Sequence, residues 1–315
     1  MKNTIYTLAL LVCFNSFGQT PITDSNFYDA IRTCLSTNPV DGMCSDSEYG
    51  AMPYWDVSNV TDMSKNSIPI EFYHKFNGDI SNWDVSNVTN MENMFYDSNF
   101  NQPIGNWDVS NVTNMERMFA NSKFNQPIGN WDVSNVTDMH WMFPLSEFNQ
   151  PIGDWDVSNV TNMYYMFPMS KFNQPIGNWD VSSVTNMENM FSGARGNYRN
   201  PFNQPIGNWD VSNVTDMGGM FEGSKFNQPI GNWDVSNVRN MTNMFQGSKF
   251  NQPIGNWDVS NVIWMKSMFE WSEFNQDLSS WDLRNINRGN CDDFYDYNTQ
   301  WTLPKPTNLT KCDPN

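Results

Sequence analysis

The chain has 315 residues, a formal net charge of −17, and 14 Trp, 22 Phe and 21 Met against only 16% charged residues. That negative field repels phosphate backbones and anionic membrane surfaces, which argues against nucleic acid as a partner. Two histidines, with no glycine-rich phosphate loop, H-E-x-x-H or G-x-S-x-G, leave no catalytic set, so no enzyme activity is expected.

At the N-terminus Lys2 precedes an apolar run from Ile5 to Phe14, and Ser16-Phe17-Gly18 supplies small residues for cleavage, so residues 1–18 read as a secretory signal. No later stretch approaches the roughly twenty apolar residues that span a bilayer, so a secreted or cell-surface chain without membrane insertion is expected. Removing the signal takes Cys13 with it and leaves Cys34, Cys44, Cys291 and Cys312. An even count in an exported chain reads as disulfides. Pairing Cys34 with Cys44 and Cys291 with Cys312 avoids tying together opposite ends of a rod roughly 45 Å long, about ten coils at about 4.8 Å each.

Residues 19–54 form an entry cap. Thr23 or Asp24 is a candidate N-cap, and Phe27, Ile31 and Leu35 share a face at helical spacing.

From 55 to 286 the chain repeats one sentence of 24 residues, cleanest from Phe100 to Lys123. Trp83, Trp107, Trp131, Trp155 and Trp179 keep the beat, and after an insertion at 195–200 it resumes at Trp209. Nothing inside a single unit can cover Phe100, Ile104, Trp107, Val109, Val112, Met115, Met118 and Phe119, but stacked neighbours can. Within a unit, Trp107-Asp108-Val109 alternates as a very short parallel strand with Asp108 outward. Val112, Met115, Phe119 and Ser122 then follow helical spacing behind a T-x-x-E capping box, Thr113 with Glu116. The fold class predicted is an α/β repeat: a right-handed, leucine-rich-repeat-like solenoid of about ten coils, each a short strand plus a short helix, between disulfide-bonded caps. Asn101, Asn125 and Asn149 fall in register and can satisfy turn backbone groups as a ladder. Residues 287–315 read as the closing cap.

In-register stacking also aligns Asp108, Asp132, Asp156 and Asp180, whose carboxylates, about 5 Å apart, repel by roughly 1 kcal/mol per pair in water. Either Asx-type hydrogen bonds to the serines two residues on offset this, or Ca²⁺ sits between rungs; calcium is the one cofactor the sequence allows.

The string F-N-Q-x-I-x-N-W-D-V-S-N-V-T-N-M-x-x-M-F resembles the repeat of BspA-like leucine-rich-repeat surface proteins, in the branch also found in mycoplasma surface proteins. The resemblance runs from about Trp55 to Ile286 and implies a bacterial surface or secreted protein, some of whose relatives bind host matrix or other cells. It carries over no catalytic residue.

Where the repeat breaks its own pattern, a binding surface is expected. The outer positions held by Glu116 and Arg117 become His140 and Trp141, then Tyr164 and Tyr165; Leu145 and Met169 replace Asn121. On a helix, Trp141 with Leu145 and Tyr165 with Met169 would be i, i+4 pairs facing solvent. The insertion adds Arg195, Tyr198 and Arg199. The reading that results is a scaffold for non-covalent, adhesin-like recognition of an extracellular protein or glycan; the alternative is a structural or calcium-stabilised matrix protein.

Overall fold

The computed structural model describes residues 20–64, 74–194, 199–287, 289–307, 309 and 312. The signal segment, Arg195 and Tyr198 lie outside the described residues.

The repeats stack with each residue over its counterpart in the previous unit. Parallel bridges join Asp62 to Asn90, Asn90 to Asn114, Asn114 to Asp138, and so on to Asn240 and Trp264. The pairing falls on Thr113–Asn114 rather than on Trp107–Val109: Thr113 N–H donates to Thr89 O at 2.9 Å. Trp107 and Val109 do point inward and Asp108 outward, but that stretch is held by turns, Trp107 N–H to Ile104 O and Val112 N–H to Val109 O.

The helix expected in each coil is not there. Among the described residues the helices are α1, Phe27–Thr37, and a 3₁₀ turn at Met52–Tyr54. Two consecutive four-residue turns replace it. Met118 N–H bonds Met115 O at 3.2 Å and Ser122 N–H bonds Phe119 O at 3.3 Å, while Arg117 and Asn121, third in each turn, take φ of +53° and +54°. The alternate amides are claimed by the following coil: Asn93 N–H donates to Glu116 O at 2.8 Å, Phe95 N–H to Met118 O at 2.9 Å and Asp97 N–H to Ala120 O at 2.8 Å. Eight residues are too few to hold a helix alone, whereas a sideways bond is reinforced by every coil in the stack.

The capping box fails for the same reason. Thr113 Oγ1 donates sideways to Thr89 O at 3.3 Å, and the amide of Glu116 is taken by Asn114 Oδ1 at 2.9 Å. The local cap is an Asx turn made by asparagine.

The core is a set of ring columns. Phe100, Phe124, Phe148 and Phe172 stack at 6.2 Å, nearly parallel, with Phe119 and Phe143 in a second column at 5.6 Å. Trp131 donates its indole N–H to Ile104 O at 3.1 Å, and the methionines fill the space between columns, fully buried at Met115, Met118, Met139 and Met142. Glycine closes the opposite edge: a Cβ on Gly129 would sit 2.8 Å from Pro151 O of the next coil.

The asparagine ladder runs from end to end. Asn101 N–H bonds Asn77 Oδ1 at 2.8 Å, Asn125 N–H bonds Asn101 Oδ1 at 2.8 Å, and Thr302 N–H finally takes Asn275 Oδ1 at 2.8 Å. Asn101, Asn125 and Asn275 are half-buried.

Both ends are closed by borrowed groups. Helix α1 buries Phe27, Ile31 and Leu35, but its N-cap residue is Asn26, without a side-chain cap bond. Asp24, instead of capping the helix, accepts Thr61 N–H and Thr61 Oγ1–H at 2.7 Å each, standing in for the coil that does not precede it. Disulfides join Cys34 to Cys44 and Cys291 to Cys312. Among the described residues no helix is long and apolar enough to cross a membrane.

Candidate binding surface

The paired turns place two columns of residues on the outside of the stack, both at positive φ. About half of these positions hold residues that tolerate the left-handed region, among them Asn93, Asn189, Gly219 and Asn243 in the first column and Asp97, Asn121, Gly223 and Gly247 in the second. In two adjacent coils they hold Trp141 (φ +58°), Leu145 (+54°), Tyr165 (+53°) and Met169 (+51°). Such residues in the left-handed region cost on the order of 1 kcal/mol each or more. The i, i+4 relationship read from the sequence is thus replaced by equivalent seats in successive turns.

The same residues are brought together across coils. The Trp141 ring lies on the Tyr165 ring at 4.7 Å and 7°, Tyr164 packs against Tyr165 at 4.6 Å, and the Arg117 guanidinium covers Trp141 at 5.2 Å. His140 is held on both sides, Nδ1 at 2.5 Å from Asp138 Oδ1 and Nε2 at 2.9 Å from Glu116 Oε1. Burial lifts the phenols of Tyr164 and Tyr165 above their ordinary value, and the Glu188 carboxylate nearby adds to it. Leu145 is 53% exposed, and Trp141, Tyr165 and Met169 are half-buried. Lys123 and Lys171 flank Glu147 as ion pairs on a neighbouring column.

Arg199 does not join this group: its guanidinium donates to the carbonyl of Gly247, on a later coil.

A second exposed aromatic group, absent from the expectations, lies nearer the C-terminal cap. Trp271 (φ +58°) stacks on Tyr297 (φ +58°) at 4.1 Å and 9°, with Trp264 close in sequence and also exposed. The signal was present in the sequence, since Trp271 sits in the column of Asn121 and Trp264 in that of Asn114.

The aspartate column is occupied locally. Asp108 Oδ1 accepts Ser110 N–H at 3.1 Å and Ser110 Oγ–H at 2.6 Å; Asp132 and Asp156 repeat both bonds, and Asp180 takes Ser182 N–H at 3.0 Å. The serine hydroxyl, then its amide, holds the Asp108 and Asp156 carboxyls below their ordinary value. Among the described residues no three His, Cys, Asp or Glu side chains gather as a metal-holding group.

No curated protein and no solved structure matches this chain. The family model described as "Mycoplasma protein of unknown function, DUF285" matches it three times, over residues 41–145, 120–201 and 196–300. With those matches covering most of its length, the chain belongs to the DUF285 family.

Proposed function

We propose that the protein is an exported, surface-associated scaffold, built as a leucine-rich-repeat-like solenoid of the BspA-like kind, that recognises an extracellular protein or glycan without catalysis. The repeat family and the two disulfides are compatible with a surface or secreted protein. The observation that carries the reading is the seating of Trp141, Leu145, Tyr165 and Met169 at positive φ on the outer face. Other coils fill many of the same seats with Asn, Asp or Gly and fold on the same plan, so the aromatic residues strain the fold locally, and strained apolar residues on an outer face are characteristic of a contact surface.

The test uses the mature chain and its Trp141→Asn/Tyr165→Asn variant on an array of matrix proteins and glycans. Asparagine suits the left-handed seat, so the variant removes the rings without breaking the turn. Capture of at least one arrayed molecule by the wild type, lost in the variant, is expected. Capture of nothing by the wild type, or of every molecule equally by both proteins, would sink this assignment of the outer seats.

A further inference from the structure

Between the two aromatic groups the outer columns change character. The coil after Tyr165 returns to Glu188 and Asn189, the next carries Gly218 and Gly219, and the one after carries Thr242 and Asn243. With no side chains on the glycine pair the surface sinks, leaving an open trough of about 400 Å³ between Glu188 and Asn189 on one side and Asn243 and Trp264 on the other. Asparagine side chains lean into the space the glycines leave: a Cβ on Gly219 would fall 2.2 Å from Asn189 Oδ1, and one on Gly218 2.8 Å from Asn240 Nδ2.

The walls combine one aromatic plate with convergent polar groups. Asn189 Nδ2 donates to Glu188 Oε1 at 3.2 Å, and Asn240 Nδ2 donates to both oxygens of Asp216 at 3.1 Å. Burial raises the Glu188 carboxyl above its ordinary value, and the Asp216 carboxylate pushes it the same way. Such a carboxyl gains from any further donor brought to it.

Trp264 is 48% exposed and stands where other coils carry Asn or Asp. In those coils the side chain accepts a turn amide, as Asn240 Oδ1 does from Thr242 N–H at 3.0 Å. An indole has no acceptor, so at Trp264 the fold gives up a turn cap and exposes half an aromatic ring. Neither change helps folding.

We propose that this trough binds a neutral sugar unit of an oligosaccharide, its apolar ring face on Trp264 and its hydroxyls on Glu188, Asn189 and Asn243. A pyranose has a C–H face that fits an aromatic plate and a rim of hydroxyls that both donate and accept, which match a carboxylate acceptor and amides able to do either. The carboxylates of Glu188 and Asp216, on a chain of net charge −17, disfavour sulfated or acidic sugars. The assignment rests on the recognition reading above but uses different residues, so the two can fail separately.

The experiment is calorimetric titration of the mature chain with hexasaccharides of glucan, mannan and chitin type and with a sulfated heparin fragment. Three proteins are compared: wild type, Trp264→Asn, which restores the turn cap, and Trp141→Asn. We expect the wild type to bind at least one neutral hexasaccharide and not the heparin fragment. Trp264→Asn should bind it at least about tenfold more weakly at an unchanged or higher unfolding midpoint, with Trp141→Asn unaffected. The proposal is overturned if no neutral hexasaccharide binds, if Trp264→Asn binds as tightly as wild type, if heparin binds best, or if the loss follows Trp141→Asn. Array capture lost in Trp141→Asn/Tyr165→Asn but kept in Trp264→Asn, with no neutral sugar bound, would overturn the trough and leave the broader reading standing.

Discussion

The indole N–H of Trp131 donates to the carbonyl of Ile104, one coil earlier, at 3.1 Å. Trp107 does the same to Ile80, and Trp155 to Ile128, so the largest side chain of each repeat is fastened to the backbone of its predecessor. Trp131→Phe keeps much of the packing but removes one of the two donors to the Ile104 carbonyl, which Trp107 N–H still pairs, a loss of about 0.5–1.5 kcal/mol. Trp131→Ala adds a cavity and should cost about 3–5 kcal/mol. Urea unfolding of the two variants checks this; a Trp131→Phe midpoint equal to wild type would show that the bond adds nothing to stability.

Two glycines should respond to alanine for different reasons. Gly129 has no room, its added Cβ meeting Pro151 O at 2.8 Å, and Gly129→Ala must push two coils apart, costing about 1–3 kcal/mol. Gly247 lies at φ +63° with open space around it, so Gly247→Ala carries only left-handed strain, roughly 1 kcal/mol, and Gly247→Asn should be nearly neutral. Thermal melts that rank Gly247→Asn below Gly129→Ala would contradict the assignment.

The aspartate column fixes the acid response. Asp108, Asp156, Asp210 and Asp258 are held below the ordinary aspartate value of 3.8, first by the serine hydroxyl two residues on and then by its amide. A folded pKa below the unfolded one means the contribution is complete above the ordinary value and is lost as pH falls through the lowered folded values. The unfolding midpoint should therefore hold from neutral pH down to about 5 and drop below about 4. Ser110→Ala with Ser158→Ala should lower the neutral midpoint and shrink the acid drop. A midpoint that rises on acidification would refute this.

Much of the stack is legible in the sequence because its columns are made of identical residues. Trp107 and Val109 against Asp108 report an inside and an outside, and the recurring Asn101, Asn125 and Asn149 announce a ladder. Val112, Met115, Phe119 and Ser122 mimic a helix because they are spaced three and four apart, and two back-to-back turns put residues inward at that same spacing. What separates the readings is the residue type at the third turn position. Asn93, Asp97, Gly219 and Gly247 recur where a helix interior would disfavour them but positive φ requires them. Seen that way, Trp141, Tyr165 and Trp271 are exceptions to a conformational rule and not merely to a pattern of polarity. The trough was not legible, because it depends on how Asn189 and Asn240 lean over Gly218 and Gly219, which only the geometry across coils reveals.

Outer aromatic residues that serve contact and not folding should be dispensable to stability, which thermal unfolding of Trp141→Asn/Tyr165→Asn measures. The rings gain about 0.5–1.5 kcal/mol from stacking, against left-handed strain on the order of 1 kcal/mol for each of the two residues. The midpoint of the variant is therefore predicted to equal or exceed that of the wild type. A midpoint lower by several degrees would show that the Trp141–Tyr165 pair holds the stack together, and would contradict this.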